Sequence, residues 1–296
     1  KMKAMDFKGI IPPLMTPFTK DGEIYEKGLK EVIDFVVPHV QGLYPVGTYG
    51  SGPLMSIEER KKAAEIIVSY VNKRVPVIVH VGTADTKTTV ELAKHAESIG
   101  ADAVGAIAPY YNPLTDESLF EHFRCLIDAV KIPVFVYNNP KISGNPIKPA
   151  VMKKLADHGL RGIKDSSFDL VNYYDYKIAL KDYKDFNVII GTEAIFYAAF
   201  EAGAIGAVTG VGNVYPELLN KMYTEYINGE KDKAKETQEL VLKVRAITKY
   251  GPTVPVMHSI LKMRGIDAGY PRKPFLPISE ELENKVKSAL KELNLL

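Results

Sequence analysis

Arg161-Gly-Ile-Lys-Asp-Ser-Ser167 sets a lysine in the middle of a short segment with the composition of a buried strand. Upstream, residues 147–158 have helical spacing and are closed by Gly159; downstream, residues 168–180 have it again. Lys164 is therefore expected on a strand between two helices, where an ammonium is costly to bury without a task.

The same alternation runs along the chain. Short apolar runs rich in β-branched residues begin at Gly9, Gly42, Val75, Ala103, Ile132, Arg161, Asn187 and Gly206, with amphipathic stretches between them. From Gly42 onward their starts lie 33, 28, 29, 29, 26 and 19 residues apart, the spacing of repeated βα units. Continuous rather than alternating apolar strands mark a parallel sheet covered on both faces. Eight such units predict an α/β protein built as a (β/α)8 TIM barrel, not an open doubly wound sheet. A dinucleotide site is not expected, because Gly210-Val211-Gly212-Asn213 lacks the third glycine of the fingerprint; Tyr215 stands there. Helical patterns continue from Pro216 to the end, beyond what barrel closure needs. The expected organisation is a catalytic barrel over 1–225 and a C-terminal helical extension over 226–296.

Composition narrows the function. The 38 basic and 36 acidic residues leave a net charge of +2, with no electrostatic case for nucleic acid or an anionic membrane surface. The one cysteine, Cys125, excludes a disulfide framework and a cysteine-rich zinc site. No apolar run reaches membrane length, and the N-terminus has no signal-like segment. A soluble, cytoplasmic protein is expected. The six histidines have no partners at ligand spacing, so no metal is expected, and no cofactor motif is present.

In such a barrel the chemistry sits at the C-terminal ends of the strands. Those ends carry Thr48 and Tyr49, Tyr110 and Tyr111, Tyr137 and Asn138, Lys164, Gly191 and Glu193, and Val208 to Gly210. Tyr137 and Lys164 end adjacent strands. A lysine within low-dielectric walls is favoured as the neutral amine, which attacks a ketone to give a Schiff base. A neighbouring phenol can shuttle the proton. The competing reading is a structural lysine paired with Asp165 or Glu193. Gly47-Thr-Tyr-Gly-Ser-Gly-Pro53 is either an ordinary strand-to-helix turn or a loop whose amides face a carboxylate. His80 reads as a core histidine, and the Tyr173-Tyr174-Tyr176 cluster as packing or interface.

Taken in order, G-T-Y-G at 47–50, P-Y-Y-N-P at 109–113, Y-N-N-P-K-I-S-G at 137–144 and G-I-K-D-S-S at 162–167 resemble the N-acetylneuraminate lyase/dihydrodipicolinate synthase family. G-T-E-A at 191–194, G-A-V-T-G-V-G-N at 206–213 and Y-P-R-K-P at 270–274 extend the likeness over nearly the whole chain. The resemblance implies a homotetrameric class I aldolase. In it Lys164 forms the Schiff base with pyruvate or a 2-keto acid, and Tyr137 shuttles the proton. It also implies that Gly47, Thr48 and Tyr49 hold the carboxylate, Val208 lines the pocket, and Tyr111 crosses to a neighbouring subunit.

Departures from the synthases are informative. Their second threonine is replaced by Tyr49, and their entrance arginine by Ile142. K-I-S-G is similar to the sialic acid lyases, but their serine matches Gly210. G-T-Y-G-S-G-P and G-Y-P-R-K-P are most similar to 2-keto-3-deoxygluconate aldolases. The reading is an aldolase joining pyruvate to an aldehyde, acting on a 2-keto-3-deoxy sugar acid. The alternatives are dihydrodipicolinate synthase, N-acetylneuraminate lyase and a non-catalytic keto-acid-binding barrel.

Overall fold

A computed structural model describes residues 1–296. Seven strands form one parallel sheet: β1 Gly9–Ile11, β2 Ile78–His80, β3 Ala103–Ile107, β4 Val134–Asn138, β5 Gly162–Asp165, β6 Asn187–Ile190 and β7 Gly206–Val208. Their order is β1-β7-β6-β5-β4-β3-β2, so the sheet curls until its edges, β1 and β2, face each other. The run at Gly42, expected as a strand, fills that gap without forming a regular ladder. Tyr44 N donates to Pro12 O and Leu43 N to Pro76 O, while Ile78 N donates to Leu43 O, each at 2.9 Å. Pro45 and Pro76 have no N–H to give, so the ladder is interrupted where they stand, although Gln41 N still donates to Ile10 O at 2.9 Å and His80 N to Pro45 O at 3.1 Å. The segment closes the barrel nonetheless.

Twelve helices cover and extend it: α1 Glu26–Val36, α2 Ile57–Val71, α3 Thr86–Ser98, α4 Asp116–Ala129, α5 Pro140–Ser143, α6 Pro149–Asp157, α7 Leu170–Ala179, α8 Phe196–Glu201, α9 Pro216–Ile227, α10 Lys231–Ile247, α11 Thr253–Met263 and α12 Glu280–Glu292. Local chemistry sets many of their starts. Ser56 and Glu59 form a reciprocal capping box on α2, and Asp85, Thr115 and Ser279 cap α3, α4 and α12.

The barrel interior is a small cluster of its own. Phe7 closes the bottom, edge-on to Phe135 at 5.3 Å, with Ile11, Tyr44, Ile78, Ala103, Ile189 and Val208 above it. Side chains alternate along a strand, so the residue two beyond inward Phe135, Tyr137, also points in.

A larger cluster of 69 residues lies between barrel and helices and includes residues of α10, α11 and α12. The extension therefore shares the barrel's core. Residues 226–227 complete the last turn of α9, where Tyr226 packs on Phe196 and Phe200, so the chain turns away at 228–230 and not directly after 225. The tail also returns to the barrel mouth. Phe18 and Tyr270 exchange backbone bonds of 3.1 and 2.8 Å, and Arg272 grips Glu59 through two nitrogens at 2.8 and 3.0 Å.

Asn213 ties the loops of β1 and β7 together under the site. Its Oδ1 accepts Met15 N–H at 2.9 Å, and its Nδ2 donates to Pro13 O and Gly210 O at 3.0 and 3.2 Å. All of this is buried, and each orphaned group costs about 1–3 kcal/mol. Asn213→Ala is expected to lower the unfolding free energy by roughly 2–5 kcal/mol, measured by urea denaturation. A loss under about 0.5 kcal/mol would show that the two loops hold without this knot.

Candidate active site

The register of β4 and β5 sets Tyr137 directly beside Lys164, and Asn138 beside Asp165. Successive side chains alternate, so the first pair enters the barrel and the second faces the helices. Behind the sheet, Asn138 Nδ2 donates to Asp165 Oδ1 at 2.9 Å, and Ser167 Oγ donates to Asp165 Oδ2 at 2.8 Å. Asp165 is thereby occupied on the far side of the strand. Glu193 is occupied too: its Oε2 accepts Gly210 N–H at 3.0 Å and its Oε1 lies 3.6 Å from Arg245 Nε. Neither carboxylate pairs with Lys164, and the structural-lysine reading fails.

Lys164 Nζ instead lies 3.7 Å from the ring centre of Tyr137 and 4.3 Å from that of Tyr44. Burial holds its pKa below the ordinary lysine value, against the opposing pull of Tyr137. Burial would raise the Tyr137 phenol, but the Lys164 charge and donors from Asn139, Thr48 and Ser166 outweigh it and leave the phenol below its usual value. The Asn139 contact, Nδ2 to Tyr137 Oη, is 3.0 Å. A suppressed amine beside an acidified phenol suits carbonyl addition followed by proton transfer.

Above the pair opens a cavity of about 220 Å³. Of the residues singled out by sequence, Thr48, Tyr49, Tyr137, Ile142, Lys164, Gly191, Glu193, Val208 and Gly210 line it. The loop bearing Thr48 and Tyr49 is tightly wound, with Val46 and Ser51 both left-handed at φ of 61° and 57°. The Thr48 and Tyr49 amides find no backbone acceptor, which leaves them for a ligand. Gly47 lies behind them: its carbonyl accepts Gly52 N–H at 3.0 Å and its α-carbon faces the Tyr44 ring. Tyr111 is outside the cavity altogether, 92% exposed, with φ of 84°.

Several residues here had no motif to announce them. Arg245 reaches the cavity from α10, its guanidinium 5.5 Å from the Phe168 ring centre. Lys141 lines the cavity as well, so two cations stand at its mouth; burial, then the charge of Arg245, hold Lys249 below its usual pKa against the pull of Glu193. Tyr44 has only its inward position in the Gly42 run as a sign in the sequence. The departures at 49 and 210 prove complementary. A β-carbon on Gly210 would stand 2.4 Å from the Tyr49 ring, so the tyrosine excludes any side chain there.

His80 is a packing residue. It is buried, its Nε2 accepts Ile107 N–H at 3.2 Å, and its Nδ1 lies 3.3 Å from Val46 O. Burial keeps it well below the usual histidine pKa and therefore neutral. No group of three or more His, Cys, Asp or Glu side chains is arranged to hold a metal, and no helix is long and apolar enough to cross a membrane.

A parallel barrel with a buried amine and a phenol at its carboxyl end fits a lyase or synthase, the class to which the comparisons assign the chain. The chain belongs to the dihydrodipicolinate synthetase family, whose family model matches residues 6–293. It is 33% identical over 290 residues to an uncharacterized DapA-like lyase of Halobacterium salinarum, covering 97% of this chain and 94% of that one. It is 33% identical over 294 residues to the 4-hydroxy-tetrahydrodipicolinate synthase of Methanopyrus kandleri, covering 98% and 97%. Among solved structures it superposes on YagE, a prophage protein of this family from E. coli K12 in complex with pyruvate. That match has a TM-score of 0.94 and 29% identity, covering 98% of this chain and 99% of that one.

The depressed amine fixes a pH dependence. Only a neutral amine adds to a carbonyl, and a lowered pKa makes Lys164 available in that form at lower pH than a solvated lysine. The second-order rate of pyruvate imine formation should rise with pH, fall as pH drops through the folded-state pKa, and show a midpoint below the ordinary value of about 10.4. A midpoint at or above that value would contradict the burial argument.

Proposed function

We propose that this protein is a Schiff-base class I aldolase that joins pyruvate to an aldehyde, or cleaves the product, with a 2-keto-3-deoxy sugar acid as substrate. One observation carries the reading: a buried amine with no carboxylate partner, adjoining an acidified phenol beneath an open cavity.

Lys164 Nζ adds to C2 of pyruvate, and the hydroxyl so formed takes a proton from Tyr137 Oη and leaves as water, giving a protonated imine and a phenolate. The Thr48 and Tyr49 amides take the carboxylate. Loss of a C3 proton gives the enamine, whose C3 attacks the aldehyde carbon while the aldehyde oxygen gains a proton; Tyr137 Oη carries these protons. Water then hydrolyses the imine and frees Lys164. Cleavage runs the same steps backwards.

Substrate choice rests on the cavity walls. Ile142, half exposed at the rim, offers no forked donor for a carboxylate. Lack of such a contact costs on the order of 1.5–3 kcal/mol, about ten- to a hundredfold in binding. Tyr49 fills the place of the synthases' relay threonine. In the same cavity a Glu193 oxygen can accept from a hydroxyl and Arg245 can donate to one, an arrangement suited to a hydroxylated chain. The enzyme should therefore use glyceraldehyde or a related hydroxyaldehyde with higher kcat/KM than aspartate semialdehyde, and Lys164→Ala should abolish both. A tenfold preference for aspartate semialdehyde would make it a synthase. Full activity in Lys164→Ala would remove the Schiff base.

The same reading places the enzyme in the cytoplasm as a homotetramer. Tyr111 projects from the surface, and a second cavity of about 400 Å³ beside Thr48 and Tyr49 is walled by Leu54, Tyr110, Val254 and Phe275. A second apolar face, Val171, Tyr174 and Ile178, lies along α7. Two such patches allow two kinds of subunit contact. Light scattering should give a tetramer mass; a monomer at working concentration would refute the assembly.

A further inference from the structure

Tyr44 is 1% exposed inside the barrel, and its ring stands against the amine on which the proposed chemistry depends. We propose that the Tyr44 ring is a working wall of an aromatic box that, with the ring of Tyr137, carries the positive charge of the protonated Lys164 imine in place of a carboxylate. The inference rests on the reading that Lys164 forms that imine.

The geometry is that of a box. The Tyr44 and Tyr137 rings meet edge to face at 78°, with centres 6.2 Å apart, and each presents its π face to Lys164 Nζ. His80 closes a third side, 5.9 Å from Tyr44 and 6.1 Å from Tyr137. The groups facing the amine can be named element by element. Tyr44 on the closing segment and Tyr137 on β4 stand against it, and neutral His80 on β2 lies beside both rings with the Arg60 guanidinium of α2 behind it. Ser166 after β5 and Thr48 on the Gly-rich loop line the cavity and donate to Tyr137. Glu193 and Arg245 line the cavity further out and engage each other. Asp165 faces the opposite side of the sheet. No anion is left to balance the charge except the phenol of Tyr137, which the reaction must protonate.

When Nζ has added to pyruvate C2, the departing hydroxyl takes a proton from Tyr137 Oη and leaves as water, so the nitrogen keeps its one hydrogen and the charge spreads over the C2–N double bond. A permanent carboxylate would stabilise that cation, but it would equally hold the free amine protonated and unreactive. Aromatic faces attract a cation more weakly and carry no formal charge. They support the imine without silencing the amine.

The ring, not the hydroxyl, is what the fold builds in. Tyr44 Oη is buried with no hydrogen-bond partner. It fits only because residue 105 is glycine, where a β-carbon would stand 2.3 Å from it. Phenylalanine should therefore do all that tyrosine does at this position.

The test uses the full chain with pyruvate and borohydride, and mass spectrometry to measure the reduced adduct on Lys164 across pyruvate concentration and pH. Tyr44→Phe should keep the half-saturating pyruvate concentration within about twofold. Tyr44→Leu should raise it roughly three- to thirtyfold and move the pH window of trapping downward, the size expected for one desolvated cation–π face. Should the leucine variant not fold, phenylalanines with increasing numbers of ring fluorines at position 44 keep the shape and weaken the face. Half-saturation should then climb with each fluorine. Wild-type trapping in Tyr44→Leu, a flat fluorine series, or a loss in Tyr44→Phe equal to that in Tyr44→Leu would overturn the proposal. Absence of a Lys164 adduct in the unmodified protein would instead sink the Schiff-base reading beneath it, so the two failures are distinguishable.

Discussion

A lysine amine buried without a counter-ion is the constraint around which this barrel is arranged. Desolvating an ammonium costs several kcal/mol, and proteins ordinarily meet that cost with a carboxylate. Here the two nearest candidates are both engaged elsewhere: Asp165 by Asn138 and Ser167 behind the sheet, Glu193 by Gly210 and Arg245 at the rim. The amine is left facing two aromatic rings and a phenol. The register that pairs Tyr137 with Lys164 is what sets this uncompensated amine against a phenol.

Much of the scaffold exists to keep that register. Every element from β3 to β6 pairs only with parallel neighbours, and helices cover the outer face, so the strands have no freedom to slip by one residue. A slip would exchange Lys164 with Asp165 and Tyr137 with Asn138 across the sheet. The close fits are mutual: Tyr49 against Gly210, and Tyr44 against Gly105. Each glycine is the partner of a tyrosine, so the departures from the synthase pattern at 49 and 210 form one adjustment and not two.

Where the chain is periodic, the sequence was transparent. Seven of the eight apolar runs are strands, because continuous β-branched segments between helices have no better way to bury both faces. The run at Gly42 was legible in position but not in form, since Pro45 and Pro76 remove the donors a ladder needs. Lys164 and Tyr137 could be paired by counting, because side-chain alternation on strands is strict. Arg245 could not. It stands on α10, a charged amphipathic helix that gives no local sign of reaching the cavity, and only the packing of the extension onto α8 and α9 brings it there. Tyr111 is the converse case. The motif marks it, but a single chain leaves it in solvent.

The central claim is that Lys164 becomes covalently bound to a keto acid. A crystal soaked with pyruvate tests it most directly. The account predicts continuous density from Lys164 Nζ to pyruvate C2, with the carboxylate on the Thr48 and Tyr49 amides and Tyr137 Oη within hydrogen-bond reach of the reacting carbons' substituents. Pyruvate bound without a bond to Nζ, or seated away from Lys164, would contradict it.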